Sequence, residues 1–176
     1  MSGLSDPSAA SHFADLANRV FGVRSESEGQ EATGAIGRMP RIQVLFVSRQ
    51  GGPVVVEGIG AYWDARDHLN TRRKKGEWTG YHAEMMIVSA MLSMLRRDAR
   101  GLTIQQAKEL LTYDGGKCVI AANAPCCKHC SNMLDALDIE HPPGSTKASL
   151  TGWWNPLTDE VYPQASSEFQ KNIPGA

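Results

Sequence analysis

His82 and Glu84 stand one residue apart, and Cys126, Cys127 and Cys130 follow inside a single short segment. Imidazole and thiolate are zinc ligands, whereas a carboxylate two positions from a ligating histidine need not bind the metal. Three protein ligands, an open fourth position and a nearby carboxylate make a hydrolytic centre: the ion acidifies a water and the carboxylate moves its proton. His82, Cys127 and Cys130 are therefore the candidate metal ligands, and Glu84 the candidate catalytic proton shuttle. Cys127 and Cys130 have the two-residue gap that brings both thiols to one helix start. Cys126 directly follows Pro125 and stays open as the alternative first thiol. His129 is expected on the far side of that helix, and Cys118, in an apolar run, as a core thiol.

Each part has a bland reading. His82 alone could cap a helix, Glu84 could be a solvated first-turn acid, and a lone Cys-x-x-Cys could be redox-active or structural. A structural zinc site would want four closing ligands, and here the partner of the cysteines is a single histidine. The combination and its order favour a catalytic site.

The bulk properties narrow the class. The chain has 176 residues, 41% hydrophobic and 21% charged, with a formal net charge of −1. That suits one soluble domain spanning 1–176, with an N-terminal helix and loop over 1–40 and a catalytic core at about 41–165. It excludes a polycationic nucleic-acid binder, so affinity for nucleic acid must come from a local patch. No apolar run approaches the ~20 residues that span a bilayer, so no membrane partner is expected. Residues 1–7 lack a basic start and an apolar stretch, so no secretory signal is expected in this chain. Four cysteines, three of them clustered, suit metal better than a disulfide framework and point to a reducing compartment.

The elements that must position these groups follow from periodicity. Residues 5–22 have helical apolar spacing, 24–39 read as a polar, glycine-rich loop, and 41–48 and 53–62 read as strands joined by the hairpin signal Gln50-Gly51-Gly52. From His82 to Arg97 the chain predicts an almost wholly apolar, buried helix. A shorter amphipathic helix follows over 102–111, then a strand over 117–123 and a helix from the cysteine cluster through Leu137. Strands at 149–154 and 160–162 close the pattern, with Trp153 and Trp154 expected to alternate, one inward and one outward. Both metal motifs fall at helix N-termini, where helix dipoles and unpaired N–H groups favour a thiolate.

His82-Ala83-Glu84 followed by Ala124-Pro125-Cys126-Cys127-Lys128-His129-Cys130 has the order of the zinc-dependent nucleobase deaminases, a His-x-Glu and then a Pro-Cys-x-x-Cys. Over about 40–160 the chain resembles the cytidine deaminase superfamily. The Tyr81-His82-Ala83-Glu84 segment, the cysteine cluster and the late Gly152-Trp153-Trp154-Asn155-Pro156-Leu157-Thr158-Asp159 segment are similar to the deaminase toxin domains of bacterial polymorphic and interbacterial toxins. The resemblance implies a cytidine-deaminase-like α/β fold, three α/β/α layers around a central mixed sheet of about five strands. It implies Zn²⁺ and hydrolytic deamination of cytosine to uracil in nucleic acid, single-stranded DNA above all. It further implies a secreted effector acting in the target-cell cytoplasm, with delivery encoded elsewhere in a larger toxin, and a cognate immunity protein as partner. Free nucleosides or nucleobases, RNA, adenine and a non-catalytic zinc-stabilised binding module are the alternatives.

Substrate contacts are expected near His82. Tyr81 and Trp78 are the candidate rings for stacking a base. Arg72 and Arg73, in the basic run Thr71-Arg72-Arg73-Lys74-Lys75, are candidates for drawing in phosphates. By resemblance the Ala83 N–H would meet the base carbonyl, and Asn70 or Asn123 would bind sugar or base.

Overall fold

Gly34-Ala35-Ile36-Gly37-Arg38 is rich in small residues because helices press on both of its faces. A computed structural model of the chain describes residues 7–22, 33–40, 45–49, 54–57, 61–63, 80–96, 98–112, 114–146, 152–162, 171 and 173–174. In chain order the elements are α1 (Pro7–Phe21), β1 (Gly34–Arg38), β2 (Leu45–Arg49), β3 (Val54–Glu57), β4 (Ala61–Trp63), α2 (Ala83–Arg96), α3 (Ile104–Leu111), β5 (Val119–Ala122), α4 (Lys128–Ala136), β6 (Trp153–Asn155) and β7 (Glu160–Tyr162).

The first five strands make one sheet in the order β4-β3-β2-β1-β5, and each pairing between named strands is antiparallel. The chain is thus α/β as expected. Among the described residues the named strands of the expected mixed sheet are antiparallel, and parallel pairing is confined to one bridge, Val119 to Glu140. Side chains alternate across the pleat. Ile36, Val119 and Ala121 meet Ala10, Phe13 and Ala17 of α1 on one face. Ala35, Phe46, Val54, Val56 and Ile120 join the larger core around α2 on the other. Asn123 ties these parts together: its Nδ2 donates to the Gly22 carbonyl at 2.9 Å, and its Oδ1 accepts from Gly34 N–H at 3.1 Å.

The α2 helix is buried from Ala83 through Leu92, as a helix with so little polar face must be. Each of Met85, Met86, Ile87, Met91 and Leu92 is removed from water, a contribution of about 1.5–3 kcal/mol per side chain. Gly37 sets how closely α2 approaches the sheet, because a Cβ there would lie 2.9 Å from Ile87 Cγ2 and 3.0 Å from Met91 Cε. The α3 helix starts in a capping box, with Thr103 Oγ1 accepting from Gln106 N–H and Gln106 Oε1 accepting from Thr103 N–H. None of the described helices is long and apolar enough to cross a membrane.

Three local expectations are corrected. The segment read as a loop over 24–39 holds β1, whose glycines suit its crowded position rather than a turn. The single strand read over 53–62 is two antiparallel strands, β3 and β4, because Gly58 and Gly60 interrupt the apolar run. Trp153 and Trp154 do not alternate between core and solvent; both are buried. They sit in a hairpin with β7 whose turn is fixed by Asn155: its Oδ1 accepts from Leu157 N–H at 2.9 Å and its carbonyl from Asp159 N–H at 2.8 Å.

Substituting Gly37→Val should overpack the β1–α2 contact and lower stability by about 1–3 kcal/mol. A shifted midpoint of urea unfolding would register it, and an unchanged midpoint would mean that α2 does not sit this close to the sheet.

Candidate metal centre

Two helices begin at one place. The His82 carbonyl accepts the first bond of α2, from Met86 N–H at 3.0 Å, which makes His82 the residue that opens the helix. Cys127 opens α4 in the same way: its carbonyl accepts from Ser131 N–H at 2.9 Å, and its Sγ accepts from Cys130 N–H at 3.4 Å. A cysteine sulfur thus takes the place usually filled by a serine or aspartate oxygen. Strand β5 delivers the chain to this point through Asn123, Ala124 and Pro125. Cys130, one turn into α4, then points at the same spot.

His82 Nδ1 lies 3.3 Å from Cys130 Sγ and 3.6 Å from Cys127 Sγ. Zinc bound tetrahedrally, with Zn–N near 2.1 Å and Zn–S near 2.3 Å, would place a ligand nitrogen about 3.6 Å from each sulfur. The donor set therefore fits a zinc ion with little adjustment. Among the described residues His82, Cys127 and Cys130 form the group that could hold a metal, with all three donor atoms within 4.8 Å of one another. The expected ligands are brought together, and the choice of Cys127 over Cys126 agrees with the geometry.

The protonation of the three groups is coupled. Burial works against a charged His82, yet the hydrogen bond to Cys127 and the charges of Cys127 and Glu84 hold its pKa above the usual value. Cys127 sits well below the ordinary thiol range, because Cys130 donates to it and His82 faces it, which outweighs burial. Cys130 is pushed well above that range by burial and by the neighbouring Cys127 sulfur. The two thiols are thus set apart, Cys127 the easier to deprotonate and Cys130 the harder. A metal dication would replace the protons.

The surroundings of the ligands come from the β6–β7 hairpin. Trp153 Nε1–H donates to Cys130 Sγ at 3.2 Å, and the backbone of Gly152 is hydrogen-bonded to the His82 ring. Since Nδ1 faces the sulfurs, the Gly152 bond falls to Nε2, the arrangement that orients ligating histidines. Trp154 serves the packing instead, stacked on Tyr81 at 4.6 Å between ring centroids and bonded through Nε1–H to Asp159.

Glu84, in the first turn of α2, is buried beside the centre, and its charge acts on His82, Cys130 and Cys126. It also lines a cavity of about 290 Å³ whose wall includes Cys126, Pro125, Pro142 and, from α1, Ala14 and Asn18. That volume suits a ligand at the small end of the range.

The other candidates fall as follows. Ala83 is buried at the first position of α2, where its N–H has no acceptor within the helix. Tyr81 is fully buried against Trp154 and is not part of the cavity wall, so in this conformation its ring is core rather than a platform for a base. Asn123 reaches the wall, but its amide is committed to Gly22 and Gly34. His129 packs near Trp153 and stays out of the donor group, its pKa lowered by burial. Cys118 is core, its Sγ donating to the Leu111 carbonyl at 3.3 Å and its pKa pushed to about 12 by burial. Asn70, Arg72, Arg73 and Trp78 lie outside the described residues. Sequence reasoning assigned no role at the centre to Trp153, Gly152 or α1. The paired tryptophans were the available signal for the first two, and nothing in α1 marked Asn18.

No protein-family model, no curated protein and no solved structure matches this chain.

The protein should take up one zinc ion. His82→Ala, Cys127→Ala and Cys130→Ala should each weaken zinc beyond the about 100-fold typical of losing an outer-shell partner, while Cys126→Ser keeps it. Chelator competition reads both, and zinc kept by Cys127→Ala but lost by Cys126→Ser would reassign the ligand. Because Cys130 must give up a proton that burial holds on it, affinity should rise with pH across the neutral range, measured in the same competition.

Proposed function

We propose that this chain is a zinc-dependent hydrolytic deaminase that converts cytosine to uracil in nucleic acid, with single-stranded DNA its favoured substrate. The observation that carries the reading is the position of Glu84. It lines a cavity of small-ligand size, and its charge acts on His82 and Cys130 of the donor group. A carboxylate placed there can touch both a metal-activated water and a base.

Zinc held by His82, Cys127 and Cys130 would supply the acidity of a water. Glu84 takes a proton from that water and delivers it to the ring nitrogen beside the amino-bearing carbon. The water oxygen bonds to that carbon, and Glu84 passes the second proton to the departing amino group. One cytosine and one water become one uracil and one ammonia. The Gly152 contact would orient the His82 ring with Nδ1 toward the metal, and the Trp153 N–H would donate to the Cys130 sulfur. The Ala83 N–H, at the helix start, is available to the base carbonyl.

Helices on both faces of a five-stranded sheet support the deaminase-like α/β/α layering. The nucleic-acid substrate rests on the sequence: Arg72 and Arg73, in the basic run ahead of His82, would attract phosphates and make binding salt-dependent. The role as a secreted antibacterial effector, acting in the target-cell cytoplasm and neutralised by an immunity protein, rests on the resemblance to toxin deaminase domains.

Uracil formation in single-stranded and duplex DNA oligonucleotides tests this. The zinc-loaded protein should produce uracil in single strands, and Glu84→Gln should lower the rate by about 10²–10⁴-fold with zinc retained. Product only from RNA, free cytidine or adenine would move the substrate. No product from any of them would leave a zinc-stabilised binding module.

A further inference from the structure

The indole N–H of Trp153 points at Cys130 Sγ from 3.2 Å, and both side chains are fully buried. An N–H group in such a place is costly to leave without an acceptor, and a sulfur is the acceptor it has. The ring is wedged. Tyr162 stacks on it nearly parallel, 15° between planes with centroids 6.5 Å apart, and His129 tilts against it at 6.1 Å. Tyr162 is also the cross-strand partner of Trp153 in the β6–β7 hairpin, so the strand pairing and the ring stack hold the same orientation. The preceding residue, Gly152, bonds the His82 ring. One short hairpin therefore reaches a ligand from each of the two helices that meet at the centre.

We propose that Trp153 is a positioning residue of the metal centre, its indole N–H donating to the Cys130 thiolate and thereby fixing that ligand's direction and its charge. The inference rests on the zinc reading above. A hydrogen bond to a buried ligating thiolate stabilises the deprotonated sulfur and holds it in the ligating direction, which favours metal binding, while it lowers the energy of the sulfur lone pairs. Cys130 is the ligand that needs this, because it is fully buried, whereas Cys127 already has the Cys130 N–H at the start of α4. The neighbouring indole does something else: Trp154 Nε1–H goes to Asp159 and never reaches a ligand.

The test uses cobalt as the probe. In cobalt-loaded Trp153→Phe, metal should bind at the wild-type stoichiometry, but the affinity should fall by about 10–100-fold. The thiolate-to-cobalt charge-transfer band should move to lower energy. Trp154→Phe, which removes an equally buried indole from the same hairpin, should leave both properties at wild-type values. A Trp153→Phe protein with wild-type spectrum and affinity would overturn the proposal and reduce the contact to packing. Should that variant not fold, the wild-type protein loaded with ¹¹³Cd decides: the Trp153 indole proton should show through-bond coupling to cadmium, and absence of coupling would overturn the proposal. Failure of the wild-type protein to bind cobalt or cadmium at all would instead remove the zinc reading itself, and this inference with it.

Discussion

Two helix N-termini share one small volume, and the rest of the architecture answers to that contact. Helix starts carry unpaired N–H groups and the positive end of the dipole. Bringing two together is unfavourable unless negative charge stands between them. Cys127 supplies it, with a thiol pKa drawn well down and its sulfur accepting from the Cys130 N–H. For the two starts to coincide, α2 must lie deep on the sheet and β5 must end beside it. Gly37 permits the first by carrying no side chain under Ile87 and Met91. The pairing of β5 with β1, locked at its end by Asn123, arranges the second.

Much of this could be read from residue types and spacing. Helix α2 was legible because an apolar run without a polar face has only the core to go to, and α4 because a cysteine cluster after a short apolar strand marks a helix start. The group of side chains that could hold a metal was legible because imidazole and thiols at those spacings have few other uses. What escaped was written in tertiary contact. Strand β1 is glycine and alanine where packing is tightest, and to a reader of propensities such a segment is a loop. Asn123 was a candidate for touching substrate because asparagine in a loop is ambiguous. Its partners, Gly22 and Gly34, lie 101 and 89 residues away in sequence, beyond any local pattern. Tyr81 failed as a stacking ring for the same kind of reason, since Trp154 claims its face from a distant hairpin.

The β6–β7 hairpin shows most clearly why short strands resist prediction from sequence. Three residues per strand cannot display a period, and the alternation expected of Trp153 and Trp154 assumes one face turned to water. Here both faces are covered. One indole reaches toward Cys130 and the other toward Tyr81 and Asp159, so both are buried for different reasons.

The charge at the centre suits a metal. Burial pushes the Cys126 and Cys130 thiols upward, and the charge of the buried Glu84 adds to it. A carboxylate with two sulfurs and one histidine is an acidic cluster that a protein interior tolerates poorly by itself. A divalent cation held by His82, Cys127 and Cys130 would offset that charge and leave Cys130 Sγ a stronger acceptor for the indole N–H. The nitrogen–sulfur distances, close to those of tetrahedral zinc, and a buried negative cluster that a cation would offset both suit a metal ion held by this group.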